Sequence, residues 1–135
     1  MIELGLFRGT VIAEVRLAGQ TILITIWHGD VAPRFDLTSE VLIVSLDSEG
    51  RVAHRRTVVL PTVSAEDLCH MTLTEGITTV ICGGIEEEYY QYLTWKRVKV
   101  IDSVIAPYEL ALEFAIRGRL EPGANLMRQG CLDQV

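Results

Sequence analysis

Two short polar segments follow apolar runs, and they carry side chains that bind metals or anions. His28 ends the first run, and Arg34 and Asp36 lie a few residues further on. Cys82 ends a later run and is followed by Gly83 and Gly84. Imidazole and thiolate suit soft transition metals, a guanidinium fork holds anions, and glycines let a ligand approach the backbone. If the segments meet, they form a crevice for a metal-containing or anionic ligand.

The residues leave several chemistries open at this crevice. Cys82 and His28 could ligate a metal, or Cys82 could be a nucleophile if His28 were fixed beside it as a base. A phosphate cradle at 83–84 is disfavoured because no phosphate-binding glycine motif is present and the carboxylates of 86–88 would repel an anion. The chemistry of Cys82 alone favours a small buried apolar residue at a strand end.

Hydrophobic periodicity places these segments on a predicted fold. Short β-branched runs predict strands, and a stripe with helical spacing after Ser64, a helix-capping residue, predicts the first helix. The predicted order is β-β-β-α-β-α-β-α, at residues 22–27, 41–47, 51–60, 65–75, 78–82, 86–97, 98–102 and 107–117. Three strands joined by short turns form an antiparallel unit, and the later strands pair in parallel through right-handed crossovers. The sequence therefore predicts an α/β domain with a five-stranded mixed sheet and three helices.

The first and fourth predicted strands are short and apolar enough to be central neighbours. The strand order would then reverse between them, and the crevice at their carboxyl ends is the expected ligand site. This arrangement brings the segment after His28 towards Cys82. The arginines of the third strand, Arg51, Arg55 and Arg56, indicate a sheet edge rather than a nucleic-acid surface.

The third predicted helix is apolar around most of its circumference. Leu112 and Ile116 lie on a second stripe displaced from the one expected to face the sheet. Such a helix needs cover on two sides, from the N-terminal extension or from a second subunit. The sequence therefore also predicts an interaction module that dimerises.

Composition narrows the functional class. The 135 residues carry a formal net charge of −6, which disfavours nucleic-acid binding. No apolar run is long enough for a membrane span, and the N-terminus lacks the pattern of a signal peptide, so we expect a cytoplasmic protein. The three cysteines, Cys69, Cys82 and Cys131, lack the spacing of a disulfide scaffold or zinc ribbon. Residues 1–20 fit a strand or a short helix equally well.

Three segments resemble the dinitrogenase iron-molybdenum cofactor biosynthesis family. They are VAPRFDLTSEVLIV (31–44), TTVICGGIEEEYYQYL (78–93) and RVKVIDSVIAPYELALEFAIRGRL (97–120). The resemblance implies a ribonuclease H-like, three-layer domain over residues 21–120, between an N-terminal extension (1–20) and a C-terminal tail (121–135). Members of this family include carriers of the iron-molybdenum cofactor or its precursors, and the orange protein, which holds a molybdenum-copper sulfide cluster.

The resemblance also implies which residues bind the cofactor. Phe35, Gly83 and Gly84 match the family pattern, whereas Arg34 and Asp36 stand where the family has histidine and glycine. The implied cofactor-binding residues are Arg34, Phe35, Asp36, Gly83 and Gly84, and the chemistry of the crevice makes Cys82 and His28 the candidates for direct metal ligands. An arginine cannot ligate a metal, but it can hold an anionic cluster. Asp36 is close enough in sequence to neutralise it instead.

Two functions follow as expectations. The leading one is a non-enzymatic domain that binds or carries a metal-sulfur cofactor and exchanges it with a donor or acceptor protein. The alternative is a regulatory module that forms a homodimer and has lost cofactor binding. A hydrolase ranks last, because two-metal chemistry needs acidic residues within strands, whereas Asp30, Asp47 and Asp102 lie only at strand ends.

Overall fold

Over residues 19–127, the part of the chain that the computed structural model describes, the expected strands and helices occur in the expected order, with one additional two-residue strand after the first strand. The strands are β1 (Thr21–Trp27), β2 (Asp30–Val31), β3 (Glu40–Leu46), β4 (Val52–Val59), β5 (Thr79–Ile81) and β6 (Lys99–Ile101). The helices are α1 (Ala65–Thr74), α2 (Glu87–Trp95) and α3 (Tyr108–Ile116), with a short 3-10 helix at Phe35–Leu37. The expected N-terminal extension, apart from Gly19 and Gln20, and Cys131 lie outside the described residues.

The sheet is mixed, as predicted. Its main path runs β4-β3-β1-β5-β6, and β3 is antiparallel to both of its neighbours, whereas β1, β5 and β6 are parallel. The first and fourth predicted strands correspond to β1 and β5. The prediction that they are neighbours is confirmed, because β1 pairs with β5. The strand order reverses at this pair, so the carboxyl ends of β1 and β5 form the edge at which a ligand crevice is expected.

The central strand β1 is buried on both faces of the sheet, which explains its nearly continuous apolar sequence. Ile22, Ile24 and Ile26 pack in a cluster with α3, whereas Leu23 packs in a second cluster with α1 and α2. Cys82 and Phe35 belong to this second cluster. The residues singled out for chemistry therefore approach the sheet on the face covered by α1 and α2.

The first helix begins where its sequence signal places it. The Ser64 hydroxyl accepts a hydrogen bond from the backbone N–H of Asp67 at 3.2 Å, which satisfies one of the free donors of the first turn. Gly76, with φ of 69°, follows the helix in a conformation that other residues adopt at a cost. The chain then enters β5, and the carboxyl end of β5 lies at the expected crevice.

The arginines of β4 lie on an edge strand, as expected, and each one pairs with a helix. Arg55 donates to both carboxylate oxygens of Glu109 on α3, at 3.1 and 2.7 Å, on one face of the sheet. Arg56 donates to Glu75, directly after α1, at 2.6 Å on the other face. These ion pairs neutralise the only basic cluster that the sequence suggested.

The chain beyond α3 also packs onto the domain. Leu120 and Leu126 are buried in the cluster under α3, and the backbone of Ile105 hydrogen-bonds to the segment around Ala124. Residues 121–127 therefore continue the packed unit past the boundary expected at residue 120. Among the described residues, none of the helices has the length and apolar character that crossing a bilayer requires.

Candidate functional site

A tight turn fixes the residue that opens the first polar segment. His28 and Gly29 have φ of 54° and 84° and join β1 to the two-residue strand β2. Positive φ at both central residues is the pattern of a type I′ hairpin turn. The exposed imidazole of His28 lies edge-on to the Trp27 ring, with the centroids 4.0 Å apart.

The two polar segments meet, as the neighbouring strand ends lead one to expect. The N–H of Phe35 donates to the Gly84 carbonyl at 2.8 Å, and the N–H of Gly84 donates to the Pro33 carbonyl at 2.8 Å. Arg34 and Gly84 form an isolated parallel bridge. The backbone of residues 33–35 is thereby fixed against the loop that follows β5.

Gly83 is needed for this contact between the two backbones. A β-carbon at Gly83 would lie 2.5 Å from the Pro33 carbonyl oxygen and closer still to that of Ala32, distances that no real β-carbon tolerates. The space that a glycine opens here is filled by the neighbouring chain segment. The glycine positions the Arg34 segment through packing.

Arg34 and Asp36 form a bidentate ion pair at the surface. The Nε of Arg34 donates to Oδ1 of Asp36 at 3.0 Å, and Nη2 donates to Oδ2 at 2.6 Å. The hydrogen bond from Arg34 holds the pKa of the Asp36 carboxyl below its usual value, with the positive charge adding to the effect. The same hydrogen bond raises the pKa of Arg34, so both groups are charged at neutral pH.

The thiol of Cys82 is fully buried. Burial, with a smaller effect from the charge of Asp102, raises its pKa to about 12. A buried thiol with a raised pKa is protonated at neutral pH and is a poor nucleophile. His28, by contrast, is exposed in the hairpin turn. Within residues 19–127, no three His, Cys, Asp or Glu side chains form a group that could hold a metal ion.

An exposed apolar groove lies beside Arg34, and we name it the Trp27 groove. It is lined by Trp27, Ala32, Pro33, Arg34 and Leu37 and has a volume of about 260 Å³. Trp27 and Leu37 are 54% and 58% exposed, and both line this groove. The groove therefore combines apolar walls with one guanidinium at the carboxyl end of β1.

Phe35 anchors the Trp27 groove from below. Its side chain is 1% exposed and is the largest of the fully buried side chains, with its ring centroid 6.4 Å from that of Tyr89 on α2. Because Phe35 points into the core, the neighbouring residues Arg34 and Asp36 are left at the surface. The five residues expected to contact a cofactor thus divide into one exposed and one half-buried charge, one buried anchor and two glycines that hold the loops together.

Sequence reasoning missed three residues of this region. Trp27 and Leu37 were not singled out. A signal for Trp27 was available, because the position directly before a His-Gly turn is an unusual place for a buried ring. Thr25 was also missed, and its hydroxyl is the one buried side-chain oxygen or nitrogen without a hydrogen-bond partner among the described residues. The pairing of Ile24 with Ile81 places Thr25 and Cys82 one position further along adjacent strands. A polar residue inside the apolar run TILITIW was the signal for it.

Comparison with known proteins finds relatives at the level of structure. No protein-family model matches the sequence, and no curated protein matches it significantly. The fold matches the crystal structure of PH0822 with a TM-score of 0.69 at 18% identity, over 76% of this chain and 94% of that one. It also matches a protein of Methanocaldococcus jannaschii that is proposed to be a dinitrogenase (TM-score 0.62, 17% identity, 76% and 93% covered). A third match is the apo form of the orange protein of Desulfovibrio gigas (TM-score 0.60, 17% identity, 76% and 92% covered).

These matches confirm an α/β domain with a mixed sheet, in a fold shared with proteins of the kind that the sequence motifs resemble. The solved structures are small proteins, and this chain covers more than nine tenths of each of them. At 17–18% identity the likeness establishes a shared fold, and function has to be argued from the site.

Proposed function

We propose that this chain is a small, non-enzymatic domain that binds or carries an anionic metal-sulfur cofactor, or a precursor of it, at the Trp27 groove. The observation that carries the proposal is the guanidinium of Arg34 beside an exposed apolar groove at the carboxyl end of β1. A metal-sulfur cluster combines negative charge with a polarisable, weakly hydrated surface, so a cation beside apolar walls suits it. The cluster is cargo, received from one protein and passed to another.

The residues around the groove favour holding the cargo by contact and charge. The guanidinium of Arg34 supplies directed donors, and Trp27 and Leu37 supply apolar contact. His28, exposed beside Trp27, is the one candidate ligand within reach of solvent. The buried, protonated thiol of Cys82 favours a role in packing instead of ligation.

The rest of the proposal concerns the fold class of the chain, the cell compartment in which it works and its role as a carrier. The ribonuclease H-like classification is supported by a sheet in which β3 alone runs against the other strands of the main path. The free thiols of Cys69 and Cys82 suit a reducing compartment, and we take this to be the cytoplasm. Strand interiors without paired carboxylates favour a carrier over a two-metal hydrolase.

Uptake of a molybdenum-sulfur anion tests the proposal. The full chain is incubated anaerobically with tetrathiomolybdate and desalted, and bound molybdenum is measured by metal analysis and visible absorption. We expect the wild type to retain the anion and Arg34→Gln to lose most of it, because the directed donors are gone. The matched control is Arg117→Gln, which removes an exposed arginine that is paired with Glu113 on α3. A colourless, metal-free wild type, or equal retention by Arg34→Gln, contradicts the proposal.

A second candidate function is a homodimeric interaction module that has lost cofactor binding. It is favoured by α3, where five apolar residues stay only half-buried, namely Tyr108, Leu110, Phe114, Ala115 and Ile116. Leu112, expected on the outer stripe, is buried within the chain at 4% exposure. Part of the second stripe is therefore covered without a partner, and the remainder is a surface that a second copy would cover.

The mass of the protein in solution tests this candidate. Light scattering at several concentrations should give a dimer for the wild type and a shift towards monomer for Ile116→Glu. Glu113→Gln, on the exposed side of the same helix, is the control and should leave the mass unchanged. A wild type that is monomeric at the highest concentration contradicts the candidate.

A further inference from the structure

We propose that Asp36 is a built-in competitor at the anion site: its carboxylate occupies the binding face of the Arg34 guanidinium, and a doubly charged oxo- or thio-anion binds by displacing it. This inference rests on the proposed function, because it concerns the same guanidinium. It adds the class of ligand and an autoinhibitory contact that sets the affinity.

The geometry of the ion pair indicates which ligands Arg34 can bind. Both oxygens of Asp36 are engaged, one by Nε at 3.0 Å and the other by Nη2 at 2.6 Å. A guanidinium presents the same parallel pair of donors to two oxygens of a tetrahedral anion. Asp36 thus stands in for one edge of such an anion, at the position that the anion would take.

The backbone around the pair is fixed, so only the two side chains have to move. The Thr38 hydroxyl donates to the carbonyl of Arg34 at 2.9 Å, and the neighbouring N–H of Phe35 donates to Gly84. The side chains themselves are accessible, with 57% of Arg34 and 25% of Asp36 exposed. An anion can therefore exchange with the carboxylate without unfolding the loop.

Competition from Asp36 weakens the binding of the anion to Arg34 but does not prevent it. An exposed ion pair of this kind reduces the affinity for a competing anion by about two- to five-fold. The displaced carboxylate stays close to the site and repels the incoming charge, which brings the total effect to about ten-fold for a divalent anion. The net charge of the pair is zero, so a monovalent anion gains little from the exchange and a divalent anion is favoured.

The alternative geometry is binding to the unused side of the guanidinium. Arginine has five N–H donors, of which Asp36 takes two, so an anion could dock on the remaining donors while the ion pair stays intact. In that case removal of Asp36 would leave the geometry of the anion site unchanged. The two modes predict different responses of Asp36 itself, and this difference can be measured.

The test compares the wild type with Asp36→Asn, with tetrathiomolybdate and molybdate as probes. We expect Asp36→Asn to bind each probe about ten-fold more tightly, and Asp36→Asn combined with Arg34→Gln to lose this gain. Glu113→Gln, which breaks the exposed pair with Arg117, is the control and should not change the affinity. In the unmutated chain, NMR should show the Arg34 Nε and the Asp36 carboxyl carbon shifting together as molybdate is added.

The outcomes separate this inference from the proposed function. Binding by the wild type with no gain in Asp36→Asn, or an Asp36 carboxyl signal that stays unchanged at saturation, overturns the inference and leaves the proposed function standing. Binding by Asp36→Asn alone supports the competition by Asp36 but contradicts the proposed function, which requires the wild type to bind. If neither protein binds either probe, both proposals are overturned.

Discussion

Cys82 shows at the scale of one residue how burial decides chemistry. Its position at the end of a strand, followed by two glycines, is compatible with ligation, nucleophilic attack or packing. Complete burial and the charge of Asp102 raise its pKa to about 12, which favours packing. The choice depends on which side chains cover the thiol, and this long-range property is invisible in the local sequence.

The burial of Cys82 predicts that its thiol does not react in the folded protein. The raised pKa keeps the thiol protonated at pH 8, and the sulfur is also shielded from solvent. We expect iodoacetamide to leave Cys82 unmodified at pH 8 in native buffer and to modify it fully in urea, as measured by mass spectrometry of digested peptides. Native labelling at a rate close to that in urea would contradict this account.

Gly83 gives a second prediction at the same scale. Gly83→Ala places a β-carbon against the carbonyl oxygens of Ala32 and Pro33, so we expect it to lower the free energy of unfolding by about 1–3 kcal/mol. Gly84→Ala is the matched control, since its β-carbon would lie 3.4 Å from the Pro33 oxygen. Urea denaturation measures both variants. An equal loss in the two would show that the close approach at Gly83 is unimportant.

At the scale of elements, the carboxylate of Asp47 holds the turn between β3 and β4 through hydrogen bonds to the backbone. Asp47 Oδ1 accepts hydrogen bonds from the N–H groups of Arg51 and Glu49, both at 2.9 Å. These backbone donors, that of Arg51 first, lower the pKa of the Asp47 carboxyl below its usual value. The carboxylate therefore stabilises the turn as long as it is ionised.

This turn predicts a pH dependence of stability. Because the pKa of Asp47 is lower in the folded state, its contribution is complete above the unfolded pKa, about 3.9, and is lost as the pH falls through the folded value. We expect Asp47→Asn to be less stable than the wild type at pH 6 and the difference to narrow as the pH falls below 4, in urea denaturation curves. Glu49→Gln, in the same turn, is the control. A difference that stays constant or widens towards low pH would contradict the assignment.

Most elements were predictable because their signals are local. The helical stripe after Ser64 predicted α1, and the β-branched runs predicted β1 and β3. The short length and apolar character of the first and fourth predicted strands indicated that both are central. The two-residue strand β2 was not predicted, since a strand so short carries no periodic pattern. Its turn did carry a signal, because a glycine at the second of two residues between Trp27 and Asp30 is typical of a type I′ hairpin.

The candidate site was predictable only in part. The meeting of residues 33–36 with 83–84 follows from the adjacency of β1 and β5, which the sequence indicated. The roles within it do not follow, because they depend on which side chain turns inwards. Phe35 and Cys82 turn into the core, and as a result the exposed chemistry consists of Arg34, Asp36 and the Trp27 groove.

At the scale of the whole molecule, an incoming anion meets an acidic chain in which Arg34, like the arginines of β4, is engaged in an ion pair. The chain carries a formal net charge of −6, and the arginines of β4 are paired with helix glutamates on both faces of the sheet. An anion therefore approaches against the overall field and needs a local cation. Arg34 supplies one beside apolar walls, with Asp36 as the group that an anion must displace.

The most direct measurement of the central claim is an anaerobic titration of the isotope-labelled chain with tetrathiomolybdate, followed by NMR. We expect the indole N–H of Trp27, the Nε of Arg34 and the backbone amides of 34–37 to shift together and to saturate. Amides at the opposite end of the sheet, such as those of Thr79 and Lys99, should stay unchanged. Shifts confined to α3 or to that opposite end, or no saturable shifts at all, would contradict the assignment of the Trp27 groove as the binding site.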